Sequence, residues 1–386
     1  MGRIVILGCN GGTDIALGGG AYIVTAMSKC LSEHGYEVHL ISTIGAEREE
    51  LVKIHGWELG SNVHTHYLVH YRSGVKLPYI MAILALSRFR RLIRDLKPSL
   101  VIYNDDYPLS ISREVRKDRT PEIAYIHFSY LVRRMLGFDF MYGTTEWSLL
   151  ESMINYPVIN RLFGELNELD LVLTNSQGTK EVIKNISSTS RDAIFVLYPP
   201  IRSLVAKGIE KVRPVFLHAA RQDRTFLSND LLNFIVSMRK TLSDSVFIIN
   251  RNKDLRLYRL HGNWSVFVSP WLDNDNWHRV LSVTKYYLHF KWFEGLGIAT
   301  IEAVFNGAVP IVYRSVFNGS WTDIARLCDR DCGFNTVDEA VDNVLRLESD
   351  YKRFRAVSSY LINELSGKFS YDSFCSSLIN VVRRYT

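Results

Sequence analysis

The sequence predicts an α/β fold made of two doubly wound halves. Two observations predict it. Short apolar runs of strand length alternate with helical patterns along most of the 386 residues. The alternation stops at Tyr198-Pro199-Pro200 and restarts after Pro214. Length agrees, because 386 residues exceed what one hydrophobic core ordinarily fills. At 47% hydrophobic and 22% charged residues, the composition excludes a mainly disordered chain.

The first half opens with Ile4-Val5-Ile6-Leu7-Gly8, an apolar run that reads as a buried strand. Only Met1-Gly2-Arg3 precede it, too few residues for a signal peptide. A loop carrying Gly11, Gly12, Gly18, Gly19 and Gly20 leads to a helix expected over 21–34, which Gly35 stops. Tyr36 to Ile41 is the second strand, and further strands are expected at 100–103, 123–127, 171–174 and 194–197. Pro199 and Pro200 continue neither strand nor helix, so the basic segment 201–213 reads as a hinge.

In the second half, strands are expected at 215–218, 246–250, 265–268, 286–290 and 310–313, with helices near 229–242 and 298–306. The domains are therefore 1–200 and 214–366, followed by a C-terminal helix within 367–386 that packs back toward the first domain. In such sheets ligands bind beyond the carboxyl ends of the strands, here in a cleft between the halves.

Forty-six Lys and Arg against 40 Asp and Glu leave a formal charge of +6, too small an excess to argue for nucleic-acid binding. It suits phosphorylated ligands or an anionic lipid surface. The five cysteines, Cys9, Cys30, Cys328, Cys332 and Cys375, are odd in number and include no CxxC pair. Neither a disulfide framework nor a zinc site is expected, and a reducing compartment fits. No run approaches the ~18 apolar residues of a membrane span, so the chain is expected to be soluble or to lie on a membrane surface. Segment 131–166 departs from the α/β pattern, being aromatic throughout and basic at Arg133 and Arg134. It reads either as a pair of covering helices or as an amphipathic surface that meets lipid.

The strongest chemical signal is the run from His289 to Ala303, where a strand ends, a loop with Gly295 and Gly297 follows, and a helix begins. Glycines let the backbone approach a ligand, and first-turn N–H groups point toward it. Glu294 in the loop and Glu302 in the helix can grip hydroxyls at different parts of one elongated ligand, since each carboxylate accepts two hydrogen bonds. The plain alternative is a capped helix with incidental acids.

This segment resembles the E-x7-E motif of retaining glycosyltransferases of family 4 (group 1), which have the GT-B fold of two Rossmann-like domains facing across a cleft. Gly18-Gly19-Gly20-Ala21 resembles the family's acceptor-side loop, and Tyr125-Ile126-His127-Phe128 its strand-end histidine. Leu173-Thr174-Asn175-Ser176 and Val196-Leu197-Tyr198-Pro199-Pro200 are similar to the segments that close the first domain. The forms His-Phe-x-Trp-x-Glu and Tyr-Pro-Pro resemble most the branch of α-1,2-mannosyltransferases that extend lipid-linked oligosaccharide at the cytosolic membrane face.

The resemblance implies transfer of a hexose, mannose favoured, from a GDP- or UDP-linked sugar to a glycan or lipid-linked glycan, with no cofactor and no metal. It implies that Glu294 holds the donor sugar, beside the backbone of Gly295, Leu296 and Gly297. Glu302 would hold ribose, and Arg221 the diphosphate. His127 would serve the reaction centre, and Gly18, Gly19 and Gly20 the acceptor. Read alone, His127 is more readily a strand-end histidine bonded to backbone than a catalytic group, and the glycines are a flexible turn. The chain departs from the family pattern where a lysine usually follows the arginine, since Phe226 stands there and Arg224 or Lys291 would have to supply the charge. The expected workplace is cytoplasmic, with membrane contact through 131–166 and no nucleic acid.

Four rival readings stand beside this one. A metal-dependent transferase could use Asp273-Asn274-Asp275 or the acidic loop Asn104-Asp105-Asp106, although such short acidic motifs recur in turns. A dehydrogenase would need GxGxxG and a ribose-binding acid after the second strand, and neither Gly8-Cys9-Asn10-Gly11-Gly12 nor Ile41-Ser42-Thr43 supplies them. A serine hydrolase would need an elbow that Asn318-Gly319-Ser320-Trp321 does not form. A non-catalytic partner that binds a sugar nucleotide is the fourth.

Overall fold

The computed structural model describes residues 2–8, 19–73, 85, 87–104, 115, 119–127, 168–186, 193–201, 211–219, 226–242, 244–250, 256–259, 263–269, 272 and 274–386. The chain divides into two compact units. One comprises 1–175, 179–200 and 371–386, and the other 176–178 and 201–370. Both are α/β, as the alternation predicts.

The first unit is built on strands β1 (Arg3–Leu7), β2 (Glu37–Gly45), β3 (Val63–His70), β4 (Leu100–Asn104), β5 (Glu122–Ile126), β6 (Leu171–Thr174) and β7 (Ile194–Val196). They form one sheet in the order β3-β2-β1-β4-β5-β6-β7, every pair parallel. Both faces of β4 and β5 are buried, which is why these strands read as continuous apolar runs.

Helix Gly19–Glu33 packs Ile23, Met27, Cys30 and Leu31 against the sheet. Its first turn contains Gly19 and Gly20, so these residues are helical where the sequence reading expected a flexible turn. A glycine-rich start suits a helix whose opening N–H groups have no partner within the helix. The last helix, Tyr371–Tyr385, brings Phe374, Leu378 and Val382 into the same core at i, i+4 spacing.

That packing corrects the reading of the cysteines. Cys30 and Cys375 form a disulfide across 345 residues, and Cys328 and Cys332 form a second. The first pair was invisible because its halves lie on helices at opposite ends of the chain. The second is a local pair at i, i+4 spacing, which a search for CxxC passes over.

The second unit contains β8 (Val215–His218), β9 (Asp244–Asn250), β10 (Arg256–Arg259), β11 (Asn263–Ser269), β12 (Tyr286–His289), β13 (Val309–Tyr313) and β14 (Gly333–Phe334), in the order β10-β11-β9-β8-β12-β13-β14. All pairs are parallel except β10 with β11 at the edge. Aromatic side chains fill its core, with Phe216 stacked on Phe247 at 4.4 Å and on Tyr286 at 5.3 Å. Such rings each bury a large apolar area and hold the sheet's centre rigid under the loops it carries.

Among the described residues no helix is long and apolar enough to cross a membrane. Segment 131–166, the hinge residues 202–210 and Gly18 lie outside the described residues.

Candidate functional site

In the second unit β12 ends at His289, and the chain runs through Phe290 to Gly297 before helix Ile298–Phe305 begins. The loop is fixed by its neighbours, which explains how a segment between strand and helix can present defined groups. Asn318, fully buried, donates from Nδ2 to the Lys291 carbonyl at 2.8 Å. The Glu294 N–H donates to the Phe317 carbonyl at 3.1 Å, and the Gly319 N–H returns to the Glu294 carbonyl at 2.8 Å. Ser176, which groups with this unit, donates to the Gly295 carbonyl at 2.7 Å.

Gly297 caps the helix with φ 75°, a left-handed conformation that favours glycine. A Cβ there would meet the Ser320 hydroxyl at 2.0 Å. Ser320 donates to the Leu296 carbonyl at 3.1 Å, and its oxygen lies 3.0 Å from that of Thr300. The backbone of Glu294, Gly295 and Leu296 is thus held by Gly319, Ser176 and Ser320 in turn.

Glu294 is partly exposed, and its carboxylate meets the ammonium of the buried Lys291 at 3.0 Å. Lys291 also pairs through its backbone with Phe226, directly across an antiparallel bridge. The position where the family pattern has lysine therefore lies beside Lys291, while the Phe226 ring stacks on His218 at 4.8 Å. Arg221 and Arg224 lie outside the described residues. The strand that leads toward them is anchored by the Tyr287 hydroxyl, which donates to the Ala219 carbonyl at 2.8 Å.

Glu302 accepts a hydrogen bond from the Trp277 indole at 2.9 Å. Burial pushes its carboxyl up to about 7, against the lesser opposing pull of that bond. His289 is buried, and neither of its ring nitrogens has a hydrogen-bond partner among the described residues. Burial pushes its imidazole down to about 3, so it adds no positive charge under the loop. Asp273 and the side chain of Asp275, the candidate metal ligands of the rival reading, lie outside the described residues.

The first unit gathers a second group of residues at the carboxyl ends of its central strands. His127 follows β5, and its Nε2 lies 2.8 Å from Oδ1 of Asn104, the last residue of β4. An amide oxygen only accepts, so this bond places the proton on Nε2. Asn104 Nδ2 in turn donates to the Gly20 carbonyl at 3.5 Å, linking His127 to the start of helix Gly19–Glu33. Beside it, Gly8, Ala21, Thr25, Ser42 and Gly45 line a concavity.

Sequence reasoning touches Asn104 only as part of the acidic loop Asn104-Asp105-Asp106 and assigns no role to Trp277, Asn318 or Ser320. Asn104 had a readable signal, being a polar residue that closes a wholly apolar strand. The other three act on the site through the fold and left none.

Residues 17–203 match the family model for Glycosyltransferase Family 4, covering most of the first unit. No curated protein matches the chain significantly. Among solved structures, sucrose-phosphate synthase from Thermosynechococcus elongatus aligns over 100% of this chain and 99% of its own, at 12% identity and TM-score 0.73. HepE from Anabaena, in complex with UDP and glucose, aligns over 100% of both chains at 12% identity and TM-score 0.65. TarM from S. aureus, a variant in complex with Fondaparinux, alpha-GlcNAc-glycerol and UDP, covers 98% of this chain and 99% of its own at 12% identity and TM-score 0.65. At such identities the likeness establishes the fold, which is GT-B. Residues 17–203 are similar to glycosyltransferase family 4, and with the GT-B fold this makes the chain a glycosyltransferase.

Proposed function

We propose that the chain transfers a hexose, mannose favoured, from a nucleoside-diphosphate sugar to a glycan or lipid-linked glycan, with retention at the anomeric carbon and without a metal. The observation that carries this reading is the pair Glu294 and Glu302, placed in the loop and helix after β12 around a backbone held in a left-handed conformation that favours glycine. Glu294 binds hydroxyls of the donor sugar and Glu302 those of ribose. Lys291, beside Phe226, supplies the charge that the family pattern takes from another lysine, and Arg221 and Arg224 meet the diphosphate. HepE and TarM were solved with UDP, which supports a uridine donor, whereas the branch resemblance supports guanosine.

In the reaction the bond between the anomeric carbon and the phosphate oxygen breaks, leaving an oxocarbenium-like sugar and a diphosphate that gathers charge. Cationic side chains and the helix N-terminus stabilise that charge. The acceptor oxygen then bonds to the anomeric carbon from the leaving-group face, and its proton passes to the departing phosphate. His127, Gly18, Gly19 and Gly20 serve the acceptor side. The work is cytoplasmic, at a membrane face that segment 131–166 touches.

A thermal-shift panel of UDP, GDP and their sugars, in EDTA and in Mg²⁺, tests the donor assignment. One nucleotide should raise the melting midpoint equally in both buffers, whereas a shift seen only with Mg²⁺ would return the reading to Asp273 and Asp275. Glu294→Ala should lower turnover by about 100-fold or more with the fold retained. Near-normal turnover in that variant would overturn the site. Reversing the charges of Arg133 and Arg134 should weaken binding to anionic vesicles at low salt, and unchanged binding would remove the membrane contact.

A further inference from the structure

The first unit carries a cluster of imidazoles on strands β2 and β3, none of them among the residues proposed for transfer. Glu37 and His39 alternate along β2, and His64 and His66 along β3. Alternation puts each pair on one face of the sheet, and the parallel register sets His39 directly opposite His64. The opposite face, with Val38, Leu40 and Val63, packs into the core, so the fold fixes these four polar side chains on the other side.

The geometry there is close. Glu37 Oε1 lies 3.3 Å from His39 Nε2 and 3.7 Å from His64 Nε2. The three ligand atoms all fall within 4.8 Å of one another. Ligands bound at about 2.1 Å around a tetrahedral zinc ion are separated by about 3.4 Å, so only small side-chain adjustments would admit an ion. The other oxygen of Glu37 accepts from Arg3 Nε at 2.8 Å. His39 Nδ1 lies 3.0 Å from His66 Nε2. With the proton on Nδ1 and donated to His66, His39 turns its Nε2 lone pair toward Glu37 Oε1 and His64. An outer partner of this kind orients a ligating histidine.

We propose that Glu37, His39 and His64 bind a divalent transition-metal ion of the zinc class, with His66 as the outer partner of His39 and solvent completing the coordination. The ion would clamp the edge strand β3 to β2.

The test uses the full chain without an affinity tag, titrated with Zn²⁺ in a calorimeter. About one equivalent should bind at micromolar or better affinity and raise the melting midpoint. His64→Ala and Glu37→Gln should each weaken binding by about 10-fold or more, and His66→Ala by about 10- to 100-fold. His64 is exposed, so its variant should keep the wild-type circular dichroism and melting curve in EDTA. A wild type that binds no Zn²⁺, or a folded His64→Ala that binds it as tightly as wild type, overturns the proposal.

Discussion

At the scale of single residues, Glu302 shows how the fold sets chemistry that composition cannot. Its carboxyl rises from an ordinary 4.5 to about 7 because the helix face that carries it is drawn into the unit beside Trp277. The folded chain therefore holds this proton more tightly than the unfolded one. The group's contribution to stability is complete below about pH 4.5 and is lost as pH rises through about 7. Nucleotide binding has the opposite slope, since the ionised carboxylate is the better acceptor for ribose hydroxyls. Affinity for the cognate nucleotide should rise by up to about 10-fold between about pH 6 and about pH 8, as the ionised fraction grows from about one tenth to nine tenths. In Glu302→Gln that component should vanish, leaving only the titration of the nucleotide's own phosphate. Calorimetry of both proteins across the range separates the two contributions. Identical pH profiles would show that Glu302 does not touch the ligand.

At the scale of elements, the loop after β12 depends on one conformation and the residues that lock it. Gly297→Ala places a methyl group 2.0 Å from the Ser320 hydroxyl and puts a side chain at φ 75°. Left-handed backbone costs a non-glycine residue about 1 kcal/mol, and displacing Ser320 from Leu296 and Thr300 adds about as much. A loss of about 2 kcal/mol, together with weakened donor binding, should appear in chemical denaturation and nucleotide titration. An alanine variant as stable as wild type would mean that the loop is held elsewhere. The glycines and acids of this loop were legible because a strand run, a glycine pair and a helical run follow in order. Strand β3 was not legible. Its residues Val63-His64-Thr65-His66-Tyr67-Leu68-Val69 lie at the sheet's edge, where no continuous apolar run is required. β10 escaped for the same reason, and two-residue β14 is too short to leave a pattern. The central strands were readable because burial on both faces leaves only apolar choices.

At the scale of the molecule, the last helix enters the first unit's core; the sequence leads one to expect it to pack back toward the first domain, but its partner there cannot be read from local pattern. The amphipathic face of Tyr371–Tyr385 is plain in the sequence, but its partner, helix Gly19–Glu33, follows the first strand, hundreds of residues earlier. The Cys30–Cys375 bond closes that contact across 345 residues. A cross-link acts chiefly by restricting the unfolded chain, and one of this span contributes about 2–4 kcal/mol by ordinary experience. In a reducing compartment, such as the cytoplasm proposed above, the pair would stand as thiols and the contact would rest on packing alone. Cys375→Ser should therefore lower the stability of the oxidised first unit by about 2–4 kcal/mol and leave that of the reduced protein nearly unchanged. Denaturation with and without dithiothreitol measures both arms. If reductant leaves the wild-type transition where it was, the bond contributes nothing and the buried Phe374, Leu378 and Val382 hold the helix by themselves. Phe374→Ala should then cost about 3–5 kcal/mol under either condition, because a buried ring leaves a cavity whatever the state of the sulfurs.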